Sequence, residues 1–147
     1  MEFRSYPKGA TVRSARTAIV LTLAVATLLS GCALFPQQTK IVACLQLKDA
    51  LEAVSTDMSA ASADLVSDPE GAAEKIATVA ADFETATGAI SNAEVHDAAK
   101  KTSDALNEFS EIINDYAADP ENADVDALSA SGEAVGTEML ALGEACA

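Results

Sequence analysis

An antiparallel four-helix bundle, an all-α protein, is the architecture that three features of the 147-residue chain predict. Apolar residues recur at alternating steps of three and four through four successive segments after residue 40. Alanine is abundant there and β-branched runs are few, which favours helix. Proline beyond residue 40 is confined to two Asp-Pro-Glu turns. Such spacing puts one apolar stripe on each helix. A single striped helix is marginal in water, whereas four bury their stripes against one another. An extended dimeric coiled coil is the other architecture that the same stripes would support.

The first segment aligns Cys44, Leu47, Leu51, Val54, Met58, Ala61 and Leu65 on one face. It ends at Ser67-Asp68-Pro69-Glu70-Gly71, a start signal for the second helix. There Asp68 accepts an orphan amide as N-cap, Pro69 takes the first helical position without losing a needed donor, and Glu70 favours the positive dipole end. The second stripe runs Ala72, Ile76, Val79, Phe83, Ala86, Ile90, and a connection follows near Gly88–Glu94 with Ser91 or Asn92 as a cap. The third runs Val95, Ala99, Thr102, Leu106, Phe109, Ile113, Tyr116. Ala118-Asp119-Pro120-Glu121-Asn122 is a near copy of the first turn and predicts a fourth helix capped by Asp119. That helix carries Val125, Leu128, Gly132, Val135, Met139, Leu142 and Cys146. The two turns lie 51 residues apart, as do the pairs 44/95, 47/98, 51/102, 58/109 and 65/116. Two repeated helical hairpins would give this pattern, and so would convergent bundle patterning. Ala, Ser and Thr near the seams predict close helix approach and a slim core.

Ahead of the bundle the composition changes. Residues 1–31 hold four of the nine basic residues and one acid, and Thr17–Leu29 is an unbroken apolar run of thirteen. Thirteen residues are too few to span a bilayer core, which takes about 20. They fit the apolar region of a secretory signal behind its basic start. The run ends in Leu29-Ser30-Gly31-Cys32, which resembles the lipobox of bacterial lipoproteins. The resemblance implies that Cys32 receives a diacylglyceryl group with fatty acyl chains such as palmitate. It also implies that residues 1–31 are removed as a signal peptide and that the protein sits, lipid-anchored, on the extracytoplasmic face of the cell membrane. Two acyl chains suffice for stable anchoring. An ordinary cleaved signal, or a short hydrophobic segment with an incidental Cys, is the alternative. The expected organisation is a signal peptide over 1–31, a lipidated Cys and tether over 32–40, and a helical domain over 41–147.

With Cys32 acylated, Cys44 and Cys146 are the remaining cysteines. An exported domain with two thiols usually oxidises them. An up-down-up-down bundle brings the start of the first helix and the end of the fourth to one end, so a Cys44–Cys146 disulfide is expected over two free thiols.

Charge excludes several functions. Residues 32–147 carry 5 Lys, no Arg and 22 acids, a formal charge of −17. Nucleic-acid binding needs a basic surface to displace phosphate counterions, so it is ruled against. One His, His96, with Ala at residue 93 and no second His, leaves no di-iron pair of Glu-x-x-His motifs. Zinc, haem and triad chemistry lack ligands or bases for the same reason, so no metal, cofactor or catalytic residue is assigned. His96 is expected at the surface. Acids are the remaining candidates. Asp104, Glu108, Glu111 and Asp115 step 4, 3, 4 on the third helix. Asp68, Glu70, Asp119 and Glu121 gather at the bundle end remote from Cys32. A solvated face and helix capping account for them structurally. Functionally, Asp68, Glu70, Asp119, Glu121, Glu108 and Glu111 would offer an acidic surface to a partner. The expected role is non-catalytic: an interaction or structural module for an envelope protein. A small-ligand-binding accessory to a transporter is the alternative, and it would need a sizeable pocket between helices.

Overall fold

The computed structural model describes residues 38–147. The expected signal peptide over 1–31 and the lipobox-like Leu29-Ser30-Gly31-Cys32 lie outside the described residues. Four helices follow in order: α1 (Lys40–Asp64), α2 (Pro69–Gly88), α3 (Ala93–Ala118) and α4 (Val125–Ala145). Each begins on a side-chain oxygen that accepts an orphan amide. Thr39 accepts from Val42, Asp68 from Gly71, Asn92 from Val95 and Asp124 from Ala127. Asn92 is therefore the cap of the third helix. The helical domain starts slightly earlier than residue 41, because Gln38 and Thr39 already belong to it. The Ser91 amide donates to Gln38 Oε1 at 3.0 Å, and Asn92 Nδ2 donates to the Gln38 carbonyl at 3.1 Å.

Short connections force successive helices antiparallel. α2 packs between α1 and α3, α3 packs between α2 and α4, and α1 also reaches α3 across the diagonal. Along their helical spans the α1 and α4 backbones do not come within 8 Å of each other. The Cys44–Cys146 disulfide, with Cα atoms 5.8 Å apart, joins them at one end. That end also holds the close of α2 and the start of α3.

The core forms two clusters. Leu47, Val54, Phe83, Val95, Leu106, Val135 and Leu142 belong to the one nearer the disulfide. Ala61, Ala72, Ile76 and Ile113 belong to the other. Met58 and Phe109 pack against both and make the core continuous. Where the single-stripe expectation departs from the fold, geometry explains the difference. α2 and α3 each face more than one neighbour, so their buried arcs are wider than one stripe. Ala73, Ala80, Ser103 and Ser110 are buried as well. On α1 the buried face is centred on Ala43, Leu47, Val54 and Ala61, with Cys44 and Leu51 at its edge. Val125 leaves the seam and is 63% exposed.

The second Asp-Pro-Glu turn does not start α4, contrary to expectation. Asp119 is the C-cap of α3, and its carboxylate accepts Asn122 Nδ2 at 3.2 and 3.1 Å. α4 begins five residues later, on Asp124. Register decides this: the seam residue Ala72 lies four residues after Asp68, and Leu128 lies four after Asp124. A helix capped at Asp119 would put that first seam position at Ala123. The repeat offset changes accordingly. Buried positions of α1 and α3 match at 52 residues (Ala43/Val95, Leu47/Ala99, Val54/Leu106, Ala61/Ile113). Seam positions of α2 and α4 match at 56 (Ala72/Leu128, Val79/Val135, Ala86/Leu142), with Ala86 and Leu128 half-buried. The two differ by four residues, about one turn, which keeps the faces aligned.

Because α1 and α4 lack backbone contact along their lengths, the disulfide is their covalent closure. It closes a loop with a sequence separation of 102. Replacing both cysteines (Cys44→Ser with Cys146→Ser) is expected to lower the unfolding free energy by about 2–5 kcal/mol. Denaturant titration measures the loss, and hydrogen exchange should show α4 amides opening first.

Candidate functional site

The bundle end remote from the disulfide carries the acidic candidates. Asp68 spends its carboxylate on the Gly71 amide at 3.1 Å, and a Cβ at Gly71 would collide with that carboxylate. Asp119 is engaged by Asn122. Glu70 and Glu121 are exposed and have no ion-pair partner among the described residues. Glu70 shares a surface depression of about 300 Å³ with Asn114 and Ala118. Asp119 lines another of about 240 Å³ with Asp115, Tyr116 and Asp124. The close of α3 thus meets the start of α2 in one depression and the start of α4 in the other, with no backbone contact between α2 and α4, and the predicted acids lie at this end. Asp124 belongs to this group too. It was hidden by the Asp119 start signal, although its four-residue spacing to Leu128 could have shown it.

Farther along α3 the acidic face divides. Asp104 is held by Lys100 Nζ at 2.8 and 2.7 Å. Glu108 and Glu111 are exposed and unpaired among the described residues. His96 lies at the surface, its side chain 39% exposed and Nδ1 3.7 Å from an Asp97 oxygen. Among the described residues no three His, Cys, Asp or Glu side chains converge on a point that would hold a metal ion.

Two grooves were not expected. One, of about 410 Å³, opens between α1 and α2, where the small Ala50, Ala53 and Gly71 leave Val79 and Phe83 as an apolar floor. Asp57, Glu74 and Asp82 form its rim. The other, of about 250 Å³, marks the unclosed side between α1 and α4 and is floored by Phe109 and Ile113. Small seam residues here leave clefts where close helix approach was expected. Inside the core, Thr102 Oγ1 lies 3.1 Å from the Glu138 carbonyl and ties α3 to α4. Thr87 Oγ1 is buried with no hydrogen-bond partner among the described residues.

Lys75 stands at the first groove and clamps α2 to α1, its Nζ donating to Asp64 Oδ2 at 2.6 Å. That hydrogen bond, with the charge of Asp64 and smaller contributions from Asp68 and Asp57, raises the ammonium above its ordinary value of 10.5.

No protein family matches this chain, and neither a curated protein nor a solved structure matches it. No described helix is long and apolar enough to cross a membrane.

The Lys75 clamp gives a pH dependence of definite sign. A lysine whose folded pKa is raised contributes stability below its unfolded value and loses it as pH rises through the folded value. Lys75 should therefore deprotonate at higher pH in the folded protein than in the urea-unfolded chain. The clamp should release above pH 10.5. Side-chain NMR titration reads both, and Asp64→Asn should return Lys75 toward its unfolded behaviour.

Proposed function

We propose that this protein is a bacterial envelope lipoprotein, anchored through Cys32, whose helical bundle is a non-catalytic module for contacting an envelope partner. The observation that carries the anchor is Leu29-Ser30-Gly31-Cys32 at the end of a thirteen-residue apolar run that follows a basic start. The partner-binding part draws its support from the acidic end. Glu70 and Glu121 stand exposed beside carboxylates that are already committed to capping and turn formation. A basic partner would meet a rigid surface there, and on Glu108 and Glu111, with attraction that salt weakens.

A second reading has its own observation. The groove of about 410 Å³ between α1 and α2, apolar below and acidic at its rim, has the size and lining of a small-ligand site. Its chemistry suits an organic cation with an apolar body, and that would make the protein a ligand-binding accessory of a transporter.

Anchoring is tested by Cys32→Ser, which should abolish metabolic labelling with palmitate and leave the precursor uncleaved. Continued acylation of that variant would sink the assignment. Partner contact is tested by crosslinking in intact cells with Glu70→Gln and Glu121→Gln combined, a change that spares the Asp68 and Asp124 caps. Recovery of the crosslinked partner should fall several-fold, and further when Glu108 and Glu111 are neutralised. Recovery unchanged by all four substitutions would eliminate the acidic surface as the contact.

A further inference from the structure

Six large hydrophobic side chains stand exposed among the described residues, and four of them surround the disulfide end. Ile41 is 73% exposed, Val42 46%, Leu45 63% and Leu140 74%. Ile41, Val42 and Leu45 lie within three residues of Cys44, and Leu140 lies six before Cys146. All four therefore fall within about 9 Å of the disulfide along their helix axes. Ile41, Leu45 and Lys48 step four and three along α1, on the face opposite the buried Ala43, Leu47 and Val54. Their outward positions serve no seam of the bundle.

We infer that this apolar collar seats in the interfacial layer of a lipid leaflet, so that the disulfide end of the bundle is itself a membrane-docking surface. The inference rests on the anchored reading above and extends it from the acyl chains to the folded domain. Chain length supports lipid as the occupant. Five residues separate Cys32 from Gln38, and a six-residue step reaches at most about 20 Å when extended. Gln38 is pinned at this end by Ser91 and Asn92, about one turn before Ile41 begins the outward face, and its side chain also meets Gln46. An anchor on Cys32 thus keeps the collar within about 20 Å of the leaflet.

Charge points the same way. Four of the five lysines after residue 32 (Lys40, Lys48, Lys100 and Lys101) lie in the first nine residues of α1 and α3. Glu94 pairs with Lys40, and Asp104 pairs with Lys100. Lys48 and Lys101 have no carboxylate within 4.0 Å among the described residues. The disulfide end also carries Glu84, Asp97 and Glu144 and remains net acidic, but the opposite end sets Asp64, Asp68, Glu70, Asp119, Glu121, Asp124 and Asp126 against Lys75 alone. Anionic headgroups therefore repel the disulfide end least, and Lys48 follows Leu45 as a cation able to remain at headgroup level. An apolar depth of about 9 Å matches that of interfacial segments, about 5–10 Å.

The chain contains no Trp, so a single introduced indole reports its own surroundings. Leu45→Trp, Leu140→Trp and, at the far end, Val66→Trp (88% exposed in the native chain) are made in the full chain and purified from bacterial membranes. Each is then reconstituted into vesicles of phosphatidylcholine and phosphatidylglycerol. Emission from the Leu45→Trp and Leu140→Trp proteins should shift to the blue and be quenched at least twofold by brominated lipid. The Val66→Trp protein should stay water-like. Identical water-like emission from all three overturns the proposal. A blue shift already present without lipid, and growing with protein concentration, identifies a second copy as the occupant and also overturns it. Mass spectrometry of the Cys32 peptide reports acylation separately, so failure of the anchor is seen apart from failure of the collar. If Cys32 carries no lipid, quenching of the collar reporters with Val66→Trp unaffected still upholds the docking surface, and its absence refutes it.

Discussion

The Cys44–Cys146 bond is the constraint on which the arrangement of the four helices turns. α4 packs on α3 alone among the other helices at backbone distance, and only Ser131, Val135 and Leu142 of its residues are buried. It also carries Gly132, Gly136 and Gly143, each about 1 kcal/mol less favourable than Ala inside a helix. Open space surrounds the Cα of Gly136 and of Gly143, so neither glycine is required by a close approach within the chain. A helix this weak in propensity and burial would fray from a three-helix remainder. The disulfide fixes its last turn to the first turns of α1, and the Asp124 cap and Thr102 hold its beginning and middle. Away from the clamp the α1–α4 side stays open, and Phe109 fills it only in part.

This division of labour also explains what could be read from the residues alone. Helix number, direction and the cysteine pairing were legible because they follow from local periodicity and the parity of the topology. Alternating steps of three and four do not depend on which helix packs where. The buried alanines and serines of α2 and α3 were not legible, since a stripe shows one contact direction while these helices have two or three neighbours. Asp119 failed for a different reason. A cap signal is local, but the start of α4 is set by the phase that Leu128, Val135 and Leu142 must keep against α3. Two acids five residues apart each offered a start, and packing chose Asp124. Of the candidate site, the shared location of the acids followed from topology, whereas the α1–α2 groove arises from Ala50, Ala53 and Gly71 on different helices and has no signature in either.

The distribution of charge gives the bundle a direction that its near-repeated hairpins would not. Lysines cluster where α1 and α3 begin and acids where α2 and α4 begin, so the two ends differ electrostatically although both hairpins have nearly the same helix lengths. The 26 residues of α3 span about 39 Å. Physiological salt screens exposed charges over about 8 Å. The two ends are therefore electrostatically independent. On the anchored reading, a chain of charge −17 can hold its less acidic end against a negative leaflet, because most of the repulsive charge lies several screening lengths away. The same distance keeps Glu70 and Glu121 clear of the headgroup layer, where a basic partner would otherwise have to compete with the lipid surface. Rigidity matters for this separation. A flexible acidic chain of equal length would fold back toward the anchor, whereas a disulfide-closed bundle keeps its acids at the far end.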